Sequence, residues 1–127
     1  MHKSRLAGFI IDCQSADLDE AARFWSAALG YSVKGPGKPE DHAYRSLDTP
    51  ANDLHIEVQK VDHPSRVHLD IEADDIEAEV ARLEKLGARR IAQIRTWWVM
   101  EAPTGQRFCV VRVQRADFAA HANMWKD

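Results

Sequence analysis

Hydrophobic and polar positions along the chain follow two periods in turn, near two residues and near 3.6, which predicts strands alternating with helices. Leu6 to Gln14 carries Phe9, Ile10, Ile11 and Cys13, a short apolar and β-branched run that predicts a buried strand. Asp17 follows as a helix N-cap with Glu20 three residues on, the spacing of a capping box. Leu18, Ala21, Ala22, Trp25, Ala28 and Leu29 form one apolar stripe, and Gly30 stands where a helix closes in a left-handed turn. Tyr31 to Lys34 predicts a short strand. Gly35-Pro36-Gly37-Lys38-Pro39 then interrupts regular structure and predicts an exposed loop, either a lid or a plain connection. Ala43 to Leu47 and Leu54 to Val61 predict two more strands. In the second, Leu54, Ile56 and Val58 alternate with His55, Glu57 and Gln59.

After a turn at Asp62-His63-Pro64-Ser65, Arg66 to Glu72 alternates again, Val67, Leu69 and Ile71 against Arg66, His68, Asp70 and Glu72. Asp74 or Asp75 caps a second helix with the stripe Ile76, Val80, Leu83 and Leu86, closed by Gly87. Arg90 to Ile94, Thr96 to Met100 and Arg107 to Gln114 predict three strands, and residues 116–125 a terminal helix.

The order strand, helix, three strands thus occurs twice. Asp17-Leu18 and Asp75-Ile76 lie 58 residues apart, Leu29-Gly30 and Leu86-Gly87 57. The expected fold is α+β: a single domain over residues 1–127 with two βαβββ modules, about 6–61 and 66–114, forming a curled, cup-shaped mixed sheet with helices outside. The offset of 58 aligns Ile10 with His68, Asp12 with Asp70 and Gln14 with Glu72, on the concave side. His68, Asp12 and Asp70 are therefore candidate catalytic residues. Asp12 and Asp70 equally suit a purely structural role, accepting hydrogen bonds from backbone or from Arg66. Trp97 and Trp98 are adjacent, so in a strand one faces the core and the other lines the hollow or its rim. Both, with Gln59 and Arg66 on the polar faces of their strands, are candidate substrate contacts.

Composition narrows the function. A net charge of −3 with Lys and Arg scattered along the chain disfavours nucleic acid. No run approaches the roughly 18 apolar residues of a membrane span, so a cytoplasmic protein is expected. Cys13 and Cys109 lie far apart in apolar runs, which suits buried thiols better than a disulfide. No Ser-His-Asp, nucleotide-loop or Cys-x-x-Cys arrangement is present.

Several stretches resemble glyoxalase-like domains of the vicinal oxygen chelate superfamily, the glyoxalase, bleomycin-resistance and dioxygenase group. They are Ile11-Asp12-Cys13, Asp17 to Trp25, Ala28-Leu29-Gly30, Val67-His68-Leu69-Asp70-Ile71, Glu79-Val80-Ala81-Arg82-Leu83, Leu86-Gly87-Ala88 and Pro103 to Val111. The resemblance implies a divalent metal in the cup, held by a His or Gln on the first strand of each module and a carboxylate on the last. Carried over position by position, it implies His68 and Glu57 as ligands but sets Ile10 and Cys109 at the other two places, so the quartet is incomplete. A rearranged metal set of His68, Glu57 and Cys109, or with His55, stays open; so does Cys109 as a plain apolar strand residue. Three readings follow. One is a small-molecule-binding cup working without metal, with His68 as proton donor or acceptor. The second is a metal-dependent lyase, isomerase or dioxygenase. The third is a non-catalytic module that sequesters a drug or metabolite. The resemblance also implies a homodimer.

Overall fold

The computed structural model describes residues 1–35 and 42–126. Most of the Gly35 to Pro39 segment lies outside the described residues. The elements in chain order are strand β1 (His2–Gln14), helix α1 (Leu18–Leu29), strands β2 (Tyr44–Ser46), β3 (His55–Val61) and β4 (Arg66–Ala73), and helix α2 (Ile76–Lys85). Strands β5 (Arg89–Ile94), β6 (Trp97–Glu101) and β7 (Arg107–Arg112), helix α3 (Phe118–His121) and strand β8 (Asn123–Trp125) follow. The fold is α+β, and its sheet is mixed: β4 and β7 run parallel, while β2/β3, β5/β6, β6/β7 and β1/β8 are antiparallel. Backbone contacts gather the chain into two compact units, Phe9–Val67, and Met1–Gly8 with His68–Asp127. The long first strand contributes to each.

In the unit Phe9–Val67 the strands lie in the order β2-β3-β1. Asp17, extended at φ −128°, accepts a hydrogen bond from the Glu20 amide and so caps α1. The reciprocal half of the capping box is taken by Ser15, whose hydroxyl accepts the Asp17 N–H at 3.1 Å. Gly30 ends the helix at φ 80° and donates its N–H to Ser26. Leu18 packs with Ile11 and Cys13 of β1, Ile56 and Val58 of β3, and Leu47; Phe9, Ala21, Trp25 and Tyr31 pack around them. Each fully buried side chain of this size contributes about 1.5–3 kcal/mol. The expected strand over Tyr31 to Lys34 shrinks to one bridge, Val33 with Leu47. The left-handed turn at Gly30 and the Ser26 hydroxyl bonded to the Tyr31 carbonyl hold this backbone to the helix end instead.

In the other unit the strands lie in the order β4-β7-β6-β5, and β8 pairs with the start of β1. Asp75 caps α2 by accepting from the Ala78 amide, and Arg82 and Lys85 in its last turn suit the negative end of the helix dipole. Val80 and Leu83 of α2 pack on Ala73, Met100 and Val110. Strand β4 keeps the side-to-side alternation read from the sequence, yet its burial is unusual. Val67 and Leu69 are 58% and 51% exposed, whereas Asp70 and Glu72 are buried. From β4, Ile71 and Ala73 join the apolar cluster under α2. The polar side is filled by matched partners: the Glu72 carboxylate accepts from the Gln114 and Arg115 amides and from the Arg5 and Arg115 guanidiniums.

The terminal stretch differs from the helix expected over 116–125. Only Phe118–His121 is helical, because Asp117 makes no capping bond and gives its carboxylate to Arg5. Asn123–Trp125 instead runs along β1, where the Trp125 indole N–H donates to the Ser4 hydroxyl at 2.8 Å and its ring lies 3.9 Å beneath the Arg82 guanidinium. That pairing also starts β1 at His2, four residues before the strand read from the pattern.

Candidate functional site

Residues paired across neighbouring strands share a sheet face, so register decides which side chains meet. In the parallel β4/β7 ladder Asp70 stands opposite Cys109, and in β6/β7 Cys109 stands opposite Val99. His68 lies two residues before Asp70 on the same side of β4. The imidazole nitrogen, carboxylate oxygen and sulfur of His68, Asp70 and Cys109 consequently all lie within 4.8 Å of one another. The His68 and Asp70 side chains are only 11% and 8% exposed, with Nε2 and Oδ1 3.6 Å apart. Both cysteines are buried, and neither is in a disulfide among the described residues. A buried cluster with one nitrogen, one oxygen and one sulfur donor can hold a cation, share a proton, or do both.

The next row on this face is charged. One step before the Leu69/Phe108 pair stand His68 on β4 and Arg107 on β7; Arg107 pairs with Glu101 on β6, and Glu101 with Arg89 on β5. The Arg107 Nε donates to Glu101 at 3.0 Å, and Arg89 donates to the other carboxylate oxygen. These two guanidiniums, Arg89 first, hold the Glu101 carboxyl below its ordinary range.

The adjacent tryptophans part as alternation requires. Trp98 goes to the α2 side, packing on the Met100 and Val110 cluster, its indole N–H donating to Glu77 and its ring under Arg90. Trp97 takes the opposite face, 5.8 Å from the Arg95 guanidinium.

The unit Phe9–Val67 carries its own polar face. His55 Nε2 lies 2.8 Å from Glu57, which also accepts weakly from the Ser46 hydroxyl at 3.5 Å; Gln59 donates to the Tyr44 hydroxyl. Asp12 is 2% exposed with the Arg66 Nε 3.8 Å from its carboxylate. Gln59 also lines an open groove of about 570 Å³ together with Leu18, His42, Lys60, Asp62 and His63. Burial raises the Cys13 thiol pKa, and Asp12 adds to the rise.

Of the metal candidates in the sequence, the structure brings His68 and Cys109 together and supplies Asp70 as the third donor, while Glu57 and His55 pair with each other in the other unit. Arg107 and the Asp70/Cys109 contact escaped the sequence reading. Both depend on the parallel pairing of β4 with β7, for which the hydrophobic pattern holds no signal.

A family profile described as Glyoxalase-like domain matches residues 8–111. No curated protein sequence matches significantly. Among solved structures, methylmalonyl-CoA epimerase from Mycobacterium tuberculosis superposes with a TM-score of 0.62 at 18% identity, covering 91% of each chain. A variant of Streptomyces coelicolor methylmalonyl-CoA epimerase in complex with 2-nitronate-propionyl-CoA gives 0.55 at 16% identity, over 86% of this chain and 98% of that one. Hypothetical protein BH1468 from Bacillus halodurans C-125 gives 0.57 at 16% identity, over 87% and 96%. At such identities the likeness establishes the fold.

Proposed function

The chain belongs to the glyoxalase-like domain family, and from that premise we propose that it binds a small oxygen-bearing molecule at a divalent metal held by His68, Asp70 and Cys109. The observation that carries the reading is the approach of those three donor atoms to within 4.8 Å inside a buried part of one unit. The set fits a metal on chemical grounds. Three protein ligands leave a coordination place open for a ligand, as catalytic zinc sites do. Imidazole, carboxylate and thiolate suit zinc and neighbouring transition metals better than magnesium or calcium. One carboxylate and one thiolate neutralise a divalent cation, removing the cost of burying either charge alone.

A metal bound there supplies Lewis-acid polarisation of a substrate oxygen. The residues do the rest. The His68 imidazole stands beside Asp70, its Nε2 3.6 Å from the carboxylate, so one cation can be reached by both side chains. Cys109, buried in β7, fixes one donor on a rigid strand. The solved structures with this fold include epimerases acting on a coenzyme A thioester, so proton transfer beside a carbonyl, an isomerase or lyase type of step, is the reaction class proposed. The homodimer implied by the family belongs to the same proposal and is checked by sedimentation. Among the described residues no helix is long and apolar enough to cross a membrane.

A second reading has its own support in the 3.6 Å contact between His68 and Asp70: the pair works as an acid–base couple without metal. Elemental analysis of untagged protein, stripped with a chelator and reloaded with zinc, separates the two. The metal reading expects about one equivalent of zinc per chain and at least a tenfold loss of affinity in His68→Ala or Asp70→Asn. Protein that retains no zinc, or retains it equally in both variants, contradicts it.

A further inference from the structure

The charged row beside the cluster contains an arginine whose presence neutralisation does not explain. Arg89 alone suffices to balance Glu101, yet Arg107 also donates to it through Nε. Two guanidiniums on one carboxylate leave the row with one net positive charge. The Glu101 carboxylate, held in its charged form by both arginines, grips Arg107 by the stem side of its guanidinium. The two terminal nitrogens of Arg107 make no hydrogen bond among the described residues, and the side chain is 37% exposed. Arg107 precedes Cys109 by two residues on β7, so both side chains leave the same face, about 7 Å apart along the strand. A planar fork fixed at its base with its tips open is the arrangement that receives a carboxylate through two parallel hydrogen bonds.

We propose that Arg107 is a specificity-determining residue that grips a carboxylate group of the small molecule while the remainder of that molecule reaches His68, Asp70 and Cys109. The ligand class is a small carboxylic acid with a second oxygen function a few bonds from the carboxylate. This deepens the reading of that cluster as the binding site, and it requires the Arg107 contact whether or not a metal is present.

The test is calorimetric binding of malonate and its neutral counterpart malonamide to both chelator-stripped and zinc-loaded protein. It is run with the unaltered chain, with Arg107→Gln and Arg107→Lys, and with Arg23→Gln. Arg23 is exposed on α1, in the unit that does not carry the cluster, so its replacement makes the same charge change without touching the residues of the cluster's own unit. Malonate is expected to bind more tightly than malonamide. Arg107→Gln should weaken malonate by roughly tenfold or more and leave malonamide unchanged, as removal of a charge-assisted bidentate contact requires. Arg107→Lys, which keeps the charge and loses the fork, should fall between, and Arg23→Gln should bind as the unaltered chain does. Zinc content should be the same in all four proteins. Equal affinity for malonate and malonamide, or equal losses in Arg107→Gln and Arg23→Gln, overturns the proposal. Failure to load zinc with the Arg107 dependence intact in stripped protein overturns the metal reading and leaves this one standing.

Discussion

At the scale of single residues, the carboxylates of Glu72 and Glu79, both 0% exposed, are answered by cationic partners. Glu79 is 0% exposed; burial pushes its pKa up, but hydrogen bonds from Arg82, His2 and Ser4 outweigh that and hold it below its ordinary value of 4.5. A carboxylate depressed in the folded state adds stability that is present in full above its unfolded pKa and is lost as pH falls through the folded one. Glu79→Gln should therefore lower stability by about 3 kcal/mol at neutral pH, since it leaves Arg82 and His2 without their shared anion. Denaturant titrations at several pH values check this: below pH 4.5 the variant should lose less with acid than the unaltered chain. Such partnerships were illegible in the sequence. Glu72 meets Arg5 and Arg115 across separations of 67 and 43 residues. Asp70 was legible as a candidate by its match to Asp12, but its contact with Cys109 comes from strand register alone.

At the scale of elements, local signals were legible wherever a short-range rule governs. Asp17 and Asp75 cap the helices, and Gly30 and Gly87 stand at positive φ behind them. The two glycines differ in a way that predicts different costs. A Cβ at Gly30 meets nothing within 4 Å, so Gly30→Ala costs about 1 kcal/mol of left-handed strain. At Gly87 the φ is 107° and Pro103 Cγ lies 3.0 Å from the added Cβ, so Gly87→Ala should cost distinctly more, roughly 2–3 kcal/mol. Thermal unfolding of both variants gives the comparison. Strand β8 was not legible, because four helical residues and three extended ones fall within one mildly amphipathic stretch. Its pairing is tertiary: Trp125→Ala removes the bond to Ser4 and the stack on Arg82. Hydrogen exchange at the His2 and Ser4 amides should then rise while that at Val110 stays slow.

At the scale of the whole molecule, strand, helix and three strands were read twice from the sequence; the order from β4 to β7 shows it in full, while α1 is followed by one bridge and the two strands β2 and β3. The repeat read from the sequence also pointed to Asp70, because an Asp recurs at the equivalent position, Asp12, where packing alone favours apolar residues; His68 aligns with apolar Ile10 and was a candidate by its place on the same side of the strand. What it withheld is the cross-strand geometry that turns separate candidates into a site. The central claim is that Cys109 is a metal ligand beside His68 and Asp70, and cobalt reads it most directly. A thiolate bound to cobalt gives an intense near-ultraviolet charge-transfer absorption that nitrogen and oxygen ligands do not. The account predicts this band in the cobalt-loaded protein, its retention in Cys13→Ser and its loss in Cys109→Ser. Cobalt-loaded protein without the band, or a band that survives Cys109→Ser, contradicts it.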